Sequence, residues 1–339
     1  MAFNGRFALN IIHFAGKLGA DIRGLIDMTG MSASELSEET CMLDDLTYNQ
    51  IVEESVALSG DPYFGLHAGE NLNLSAAGLI AQLTQTSETV KQALELCCEF
   101  ANLGCSALPM ALVEEGDCYK VTMTPNPIWA VQSDVAVRHT TEGVIAFNIK
   151  EFHSLTRMKH SPVKIHLTWE RQHNVEELER VYGCLVCFEK DEIAIFLNKS
   201  HVEEKIVTSD YNLLRILIAH AEEKSAGIKT DKGFAALVKE SVVNLVKPEF
   251  PTIEQVASHL NVSPRTLQRR LKEEGQNFKD IIENLRKDFA LSYLKRSDLS
   301  IGEVAYLLSY ADISAFTRAF KRWMGVTPND YRKGILKDK

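Results

Sequence analysis

The stretch SPRTLQRRLKEEG, residues 263–275, holds four polar side chains at a spacing that gathers them. On a helix, positions i, i+3, i+4 and i+7 share a face, so Arg265, Gln268, Arg269 and Lys272 project to one side while Leu267 and Leu271 project to another. A guanidinium can bridge O6 and N7 of guanine, and a glutamine amide can do the same for N6 and N7 of adenine. Lys272, farther along the helix, suits a phosphate, which adds affinity without sequence preference. The chemistry on offer is recognition by hydrogen bonds, with no bond made or broken.

The pattern recurs 49 residues later. Ser314, Thr317, Arg318 and Lys321 fall in the same register behind Phe316 and Phe320, and Arg322 stands beside Lys321 as a second phosphate contact. Ser and Thr can meet a thymine methyl or a base edge. A shorter apolar unit precedes each row: Val256-Ala257 with Leu260 in the first copy, Val304-Ala305 with Leu308 in the second, offset by 48 residues. Each copy thus reads as a short helix, a tight turn and a second helix, the helix-turn-helix pattern whose second helix enters a groove.

The elements that must hold these rows are marked by their ends. Thr252-Ile-Glu-Gln255 and Ser300-Ile-Gly-Glu303 are capping boxes, Ser263-Pro264 and Thr327-Pro328 are helix starts, and Gly275 and Gly325 stand where helices should stop. Between the copies, Phe278, Ile281, Ile282, Leu285, Phe289 and Leu294 form one apolar stripe. A helix of about 18 residues would span about 27 Å. That length could hold two recognition helices roughly one DNA turn, about 34 Å, apart.

Charge separates this region from the rest. The chain of 339 residues has a net charge of −9; residues 1–230 carry 18 Lys and Arg against 32 Asp and Glu, whereas residues 231–339 carry 19 against 14. A basic third on an acidic body points to a polyanion that meets the C-terminal third alone.

Residues 46–60 and 75–105 carry apolar residues at helical spacing, with a break at Ser87-Glu-Thr, and 129–155 is again helical. ALVEEGDCYKVTM reads as a hairpin, VKIHLTW, LVCF and IAIFL as strands, and 174–182 as a short helix. Without a strict βαβ rhythm the expected class is an α+β N-terminal domain, mainly antiparallel sheet with helices, followed by an all-α domain with two helix-turn-helix units joined by a long helix. The expected boundaries are 1–208 for effector binding and dimerisation, 209–228 for a linker helix and hinge, and 229–339 for DNA binding. Leu213, Leu214, Leu217, Ile218 and Ala221 stripe the linker helix, which could pack on its own domain or on a second chain; Ser225-Ala-Gly227 is read as the hinge.

No glycine-rich phosphate loop, GxSxG or HExxH occurs, and His139, His153, His160, His166 and His173 are scattered. No catalytic residue, cofactor or metal is therefore expected. Seven cysteines lie within the first 187 residues. Cys184-Leu-Val-Cys187 has the spacing of half a metal knuckle or a redox pair, which keeps a thiol- or metal-responsive sensor open as the alternative. An alkyl-transfer repair activity would need an activated Cys beside His-Arg, and no such tripeptide occurs. No apolar run is long enough to span a membrane, and the N-terminus lacks a convincing cleavage site, so cytoplasmic localisation is expected.

The C-terminal arrangement resembles the DNA-binding domain of the AraC family of bacterial transcription regulators over about 230–334: SPRTLQRRLKEEG, then FKDIIENLRKDFALSYL, then SIGEVAYLLSYADISAFTRAFKRWMGVTPNDYR. The resemblance implies base readout from Arg265, Gln268, Arg269, Ser314, Thr317 and Arg318. One departure is Ser309-Tyr310 where the family usually has Gly-Phe at the turn; another is Ile313 at a position often polar in relatives. The first two-thirds look like the arabinose-binding-type sensor domain of a branch that includes ornithine-utilisation regulators, through GDPYFGL, the helix around 87–103 and YGCLVCF. That implies a small-molecule effector and a homodimer acting on double-stranded operator DNA, with RNA polymerase as a further partner. An apolar cavity is expected among the helices of 75–105 and 129–155.

Overall fold

The computed structural model describes residues 2–38, 40–72, 77–171, 174–231, 233–246, 250–294 and 299–337. They divide into two compact units, Met1–Pro125 with Ser133–Ala226, and Asn126–Gln132 with Gly227–Lys339. The first unit begins with β1 (Ala2–Asn4), α1 (Gly5–Lys17), α2 (Ile22–Asp27), α3 (Ala33–Leu36), β2 (Met42–Asp44) and α4 (Asp45–Ser59), with β1 and β2 antiparallel. Then come α5 (Phe64–Asn71), α6 (Gly78–Thr86), α7 (Val90–Phe100) and the hairpin of β3 (Met110–Glu115) and β4 (Cys118–Met123). After α8 (Pro127–Gln132), which belongs to the second unit, the first resumes with α9 (Asp134–Thr156), β5 (Lys164–His166), α10 (Val175–Tyr182), β6 (Leu185–Cys187), β7 (Ile193–Asn198), α11 (Lys199–Val202) and α12 (Tyr211–Asp231) as far as Ala226.

The larger sheet runs β3-β4-β7-β5-β6, antiparallel except where β5 meets β6. Its central strand β7 is buried from Ile193 to Leu197, which explains the unbroken apolar run; the edge strand β3 ends in exposed Glu114 and Glu115, as a strand with one free edge should. This is the α+β class expected, with a mainly antiparallel sheet.

Three local readings change. The stretch 129–155 is not one helix: Ser133 Oγ accepts from Ala136 N–H at 3.0 Å and starts α9 afresh. The short piece before it, α8, lies with the second unit because Ile128 and Val131 pack against that unit's core. At Ser225-Ala-Gly227 the helix does not end: α12 continues to Asp231, and the division between the two units falls within it, after Ala226. A single glycine costs a helix only about 1 kcal/mol, too little to break one without a proline or a left-handed residue. The stripe on α12 is settled as well: Leu214 and Ala221 are buried with Leu79, Leu83, Leu96 and Phe100, with Leu217 and Ile218 at the margin, while Leu213 stays 44% exposed.

The second unit continues with α13 (Phe234–Leu245), α14 (Ile253–His259), α15 (Pro264–Glu273), α16 (Phe278–Tyr293), α17 (Ile301–Leu307), α18 (Ile313–Met324) and α19 (Pro328–Lys337). One hydrophobic core takes Val256, Leu267 and Leu271 from the first copy, Leu285 and Phe289 from α16, and Val304, Phe316 and Phe320 from the second. The two helix-turn-helix copies therefore share a core rather than each owning one. At 1.5 Å per residue the 16 residues of α16 span about 24 Å.

Candidate nucleic-acid interface

The caps read from sequence are formed. Thr252 with Gln255 and Ser300 with Glu303 close reciprocal boxes at the starts of α14 and α17. Ser263 Oγ accepts from Thr266 N–H at 3.1 Å to start α15, and Thr327 Oγ1 accepts from Asp330 N–H at 3.2 Å before α19; at α18 the cap is Asp312, which the sequence pattern did not single out, its Oδ1 accepting from Ala315 N–H at 2.7 Å. Each such cap is worth about 1 kcal/mol. With leading helices offset by 48 residues and caps by 49, the additional residue falls in the second turn, where Tyr310-Ala311 stands against Val262 alone.

Both turns pivot on a left-handed residue, Asn261 at φ 52° and Ser309 at φ 59°. They also share their hydrogen bonds: Val262 N–H donates to Ala257 O at 2.9 Å and Tyr310 N–H to Ala305 O at 3.0 Å. Asparagine visits this region readily; serine does so at a cost. Ser309 Oγ accepts from Phe250 N–H at 3.3 Å, a contact a glycine could not make. The serine has thus taken the glycine's geometry, and the second recognition helix enters through the same turn as the first. Ser309→Val should lose about 1–2 kcal/mol of stability, because a β-branched side chain tolerates this φ worst, whereas Ser309→Gly should stay close to wild type. Chemical denaturation of the three proteins checks the ordering.

Arg265, Gln268, Arg269 and Lys272 are all exposed on α15, opposite fully buried Leu267 and Leu271. On α18, Ser314, Arg318 and Lys321 are exposed, and Thr317 is half-buried between them. Among the described residues Arg265, Gln268, Lys272, Ser314, Thr317, Arg318 and Lys321 have no ion pair or hydrogen bond from their side chains, so none of those residues competes for them. Arg269 pairs with Glu273 at 2.9 Å across one helical turn, an exposed contact worth only a few tenths of a kcal/mol. Ile313 is 53% exposed at the head of α18, an apolar surface where α15 begins with Pro264.

Arg322 stands apart from the row. Its guanidinium pairs with Glu283 on α16, and Trp323 Nε1–H donates to the same carboxylate at 2.8 Å. The Trp323 hydrogen bond, then Arg322, hold the Glu283 carboxyl below its ordinary range. Arg286, also on α16, lies 5.1 Å from the Phe250 ring and 5.3 Å from that of Tyr310. These contacts fasten α18 and its turn to the connecting helix. Sequence reasoning passed over them because neither Glu283 nor Arg286 falls on a repeated position.

In the first unit, three apolar cavities of about 110, 60 and 30 Å³ lie between α6, α7, α9 and the sheet, and Asn148 of α9 borders all of them. No charged side chain lines the largest; in the next, Glu151 alone is charged. Cys97 and Cys105 on the wall of the largest are pushed up to about 11 by burial, so both stay neutral thiols. Cys184 is pushed up to about 12, by burial first and then by the Glu179 charge and Cys187, the opposite of a redox-active thiolate. Among the described residues no group of three His, Cys, Asp or Glu could hold a metal ion, and no helix is long and apolar enough to cross a membrane.

Two capped helix-turn-helix copies on one core, each with an exposed polar row, in a chain that also carries a separate α+β unit, define a DNA-binding regulator of transcription. The chain belongs to the AraC family: residues 19–206 match the arabinose-binding domain of AraC transcription regulators, N-terminal, and residues 256–334 match a helix-turn-helix domain. It is 25% identical to the ornithine utilization regulator of Pseudomonas aeruginosa over 331 residues, covering 96% of this chain and 95% of that one. It is 42% identical to the transcriptional regulator VirS of Mycobacterium tuberculosis over 101 residues, 29% of this chain and 30% of that one. The crystal structure of the transcriptional regulator CdpR from Pseudomonas aeruginosa matches with a TM-score of 0.45 at 25% identity, covering 92% of this chain and 96% of that one.

Proposed function

We propose that this regulator reads operator bases with Arg265, Gln268 and Arg269 of α15 and with Ser314, Thr317 and Arg318 of α18, and that Lys272, Lys321 and Arg322 contact phosphates. The observation that supports this reading is the pair of exposed rows held by one continuous core, whose side chains, Arg269 with its exposed Glu273 pair apart, have no partner among the described residues. Residues 1–208 serve as the effector-binding and dimerising domain, 209–228 as the connection and 229–339 as the DNA-binding domain. A small molecule in the first unit changes DNA affinity by binding two arrangements of a homodimer unequally, since only differential affinity can shift such an equilibrium. RNA polymerase is the further partner, and the cytoplasm is where these components meet. The protein performs no catalysis in this reading.

The test begins by selecting the preferred duplex from a random-sequence library with the wild-type protein. Arg269→Ala should then lose about 1–3 kcal/mol on the selected duplex and much less on unrelated DNA. Lys321→Ala should weaken both and lower the salt slope by about one. Equal losses for Arg269→Ala on both duplexes would remove it from the readers.

A further inference from the structure

Along α9, the residues that line the two larger cavities include Thr140, Val144, Phe147, Asn148, Glu151 and Phe152. Two of them carry hydrogen-bonding capacity that the protein leaves unused. Glu151 is only 8% exposed, and its Oε2 is buried without a hydrogen-bond partner among the described residues. Asn148 donates through Nδ2 to Val144 O at 2.8 Å, which fixes the amide orientation because the opposite one would set oxygen against oxygen. Its Oδ1 has no partner among the described residues. Positions 148 and 151 are i and i+3, one helical turn apart on one face. A buried acceptor left unpaired costs roughly 1–3 kcal/mol, more for a charged one, so a ligand that satisfies the Glu151 carboxylate recovers that cost, and the half-buried Asn148 can add a second acceptor.

The cavity that both residues line is otherwise mostly apolar, with Ile80, Leu94, Phe147 and Phe152, neutral Cys97 and, as the one further polar side chain, Thr84. We propose that these adjoining cavities, which share Ile80, Cys97, Phe147 and Asn148 on their walls, bind a small hydrophobic primary amine, its ammonium donating to the Glu151 carboxylate and Asn148 Oδ1 and its apolar body lying in the larger cavity. The selection follows from donor count and charge. An ammonium has three N–H donors and a positive charge, whereas a hydroxyl has one donor and a carboxylate none. A ligand that also bears a carboxylate finds no cation on the walls, since the two larger cavities contain neither Lys nor Arg. Size limits the body: a dry cavity of about 150 Å³ holds a benzene ring, so spaces of about 110 and 60 Å³ suit one ring or a short alkyl chain.

The inference deepens the effector-binding reading of the first unit and rests on it for its regulatory meaning. Three probes of one shape separate the chemistry in the full-length protein: 2-phenylethylamine, 3-phenylpropionate and phenylalanine, each followed by thermal unfolding and titration calorimetry. The amine should raise the melting temperature and bind, the acid and the zwitterion should do neither, and Glu151→Gln should weaken the amine at least tenfold. If Glu151→Gln folds poorly, Asn148→Leu should show the same loss. Binding of the acid as well as the amine, unchanged amine affinity in either variant, or no binding of any probe overturns the proposal. Repeating the duplex titration with the amine present separates the two readings. Bound amine with unmoved DNA affinity keeps this site and removes its regulatory role; failure of all three probes with sequence-selective DNA binding intact removes this site alone.

Discussion

Gly65→Ala is expected to destabilise the first unit by about 3 kcal/mol or more, at the upper end of what overpacking costs. Helices α5 and α9 cross with their backbones in contact, and a Cβ on Gly65 would sit 2.0 Å from His139 O and 2.5 Å from His139 Cα and C. These are main-chain atoms, so no side-chain rotation relieves the clash; α9 itself must move. Gly69 repeats the constraint one turn later, 2.2 Å from Gly143 O. The consequence reaches the cavities, because α9 carries Thr140, Val144, Phe147, Asn148 and Glu151 on their walls. Thermal unfolding should show a drop of several degrees or more, and ligand binding should fail with it. Asn71→Ala, exposed at the end of α5, should stay within about 0.5 kcal/mol. A Gly65→Ala protein as stable as wild type would mean that the helices do not approach this closely.

The second large effect is a pH dependence. Glu142, 5% exposed on α9, has its carboxyl pushed up to about 7 by burial, with the Arg138 charge opposing. In the unfolded chain the carboxyl has its ordinary value of 4.5. Between those values the folded protein holds a proton that the unfolded chain has released, so stability falls as pH rises from about 4.5 to 7 and then levels. The difference between 4.5 and about 7 corresponds to roughly 3 kcal/mol. Glu142→Gln keeps the shape and removes the charge. The variant should match wild type near pH 4.5 and exceed it by about 2–3 kcal/mol at pH 8, measured by urea unfolding at both. Parallel stability curves would show that the Glu142 carboxyl is solvated in the folded protein.

The sequence by itself determined the DNA-binding third. Helix periodicity, capping boxes and a 48- to 49-residue repeat are local signals, written within one or two turns of chain, and α14, α15, α17 and α18 formed where those signals stood. It also placed the two polar rows, because a face repeats every 3.6 residues whatever the helix packs against. What tertiary structure alone decided was everything set by contact between distant segments. Ile128 and Val131 joined the second core, Arg322 found Glu283, and Ser309 accepted a left-handed turn with Phe250 as its partner. The cavity was foreseeable as a space between amphipathic helices, but its two unmatched oxygens were not. Whether Asn148 and Glu151 meet partners, solvent or an apolar wall depends on α6 and α7, more than 40 residues away in sequence, and no spacing along α9 encodes that.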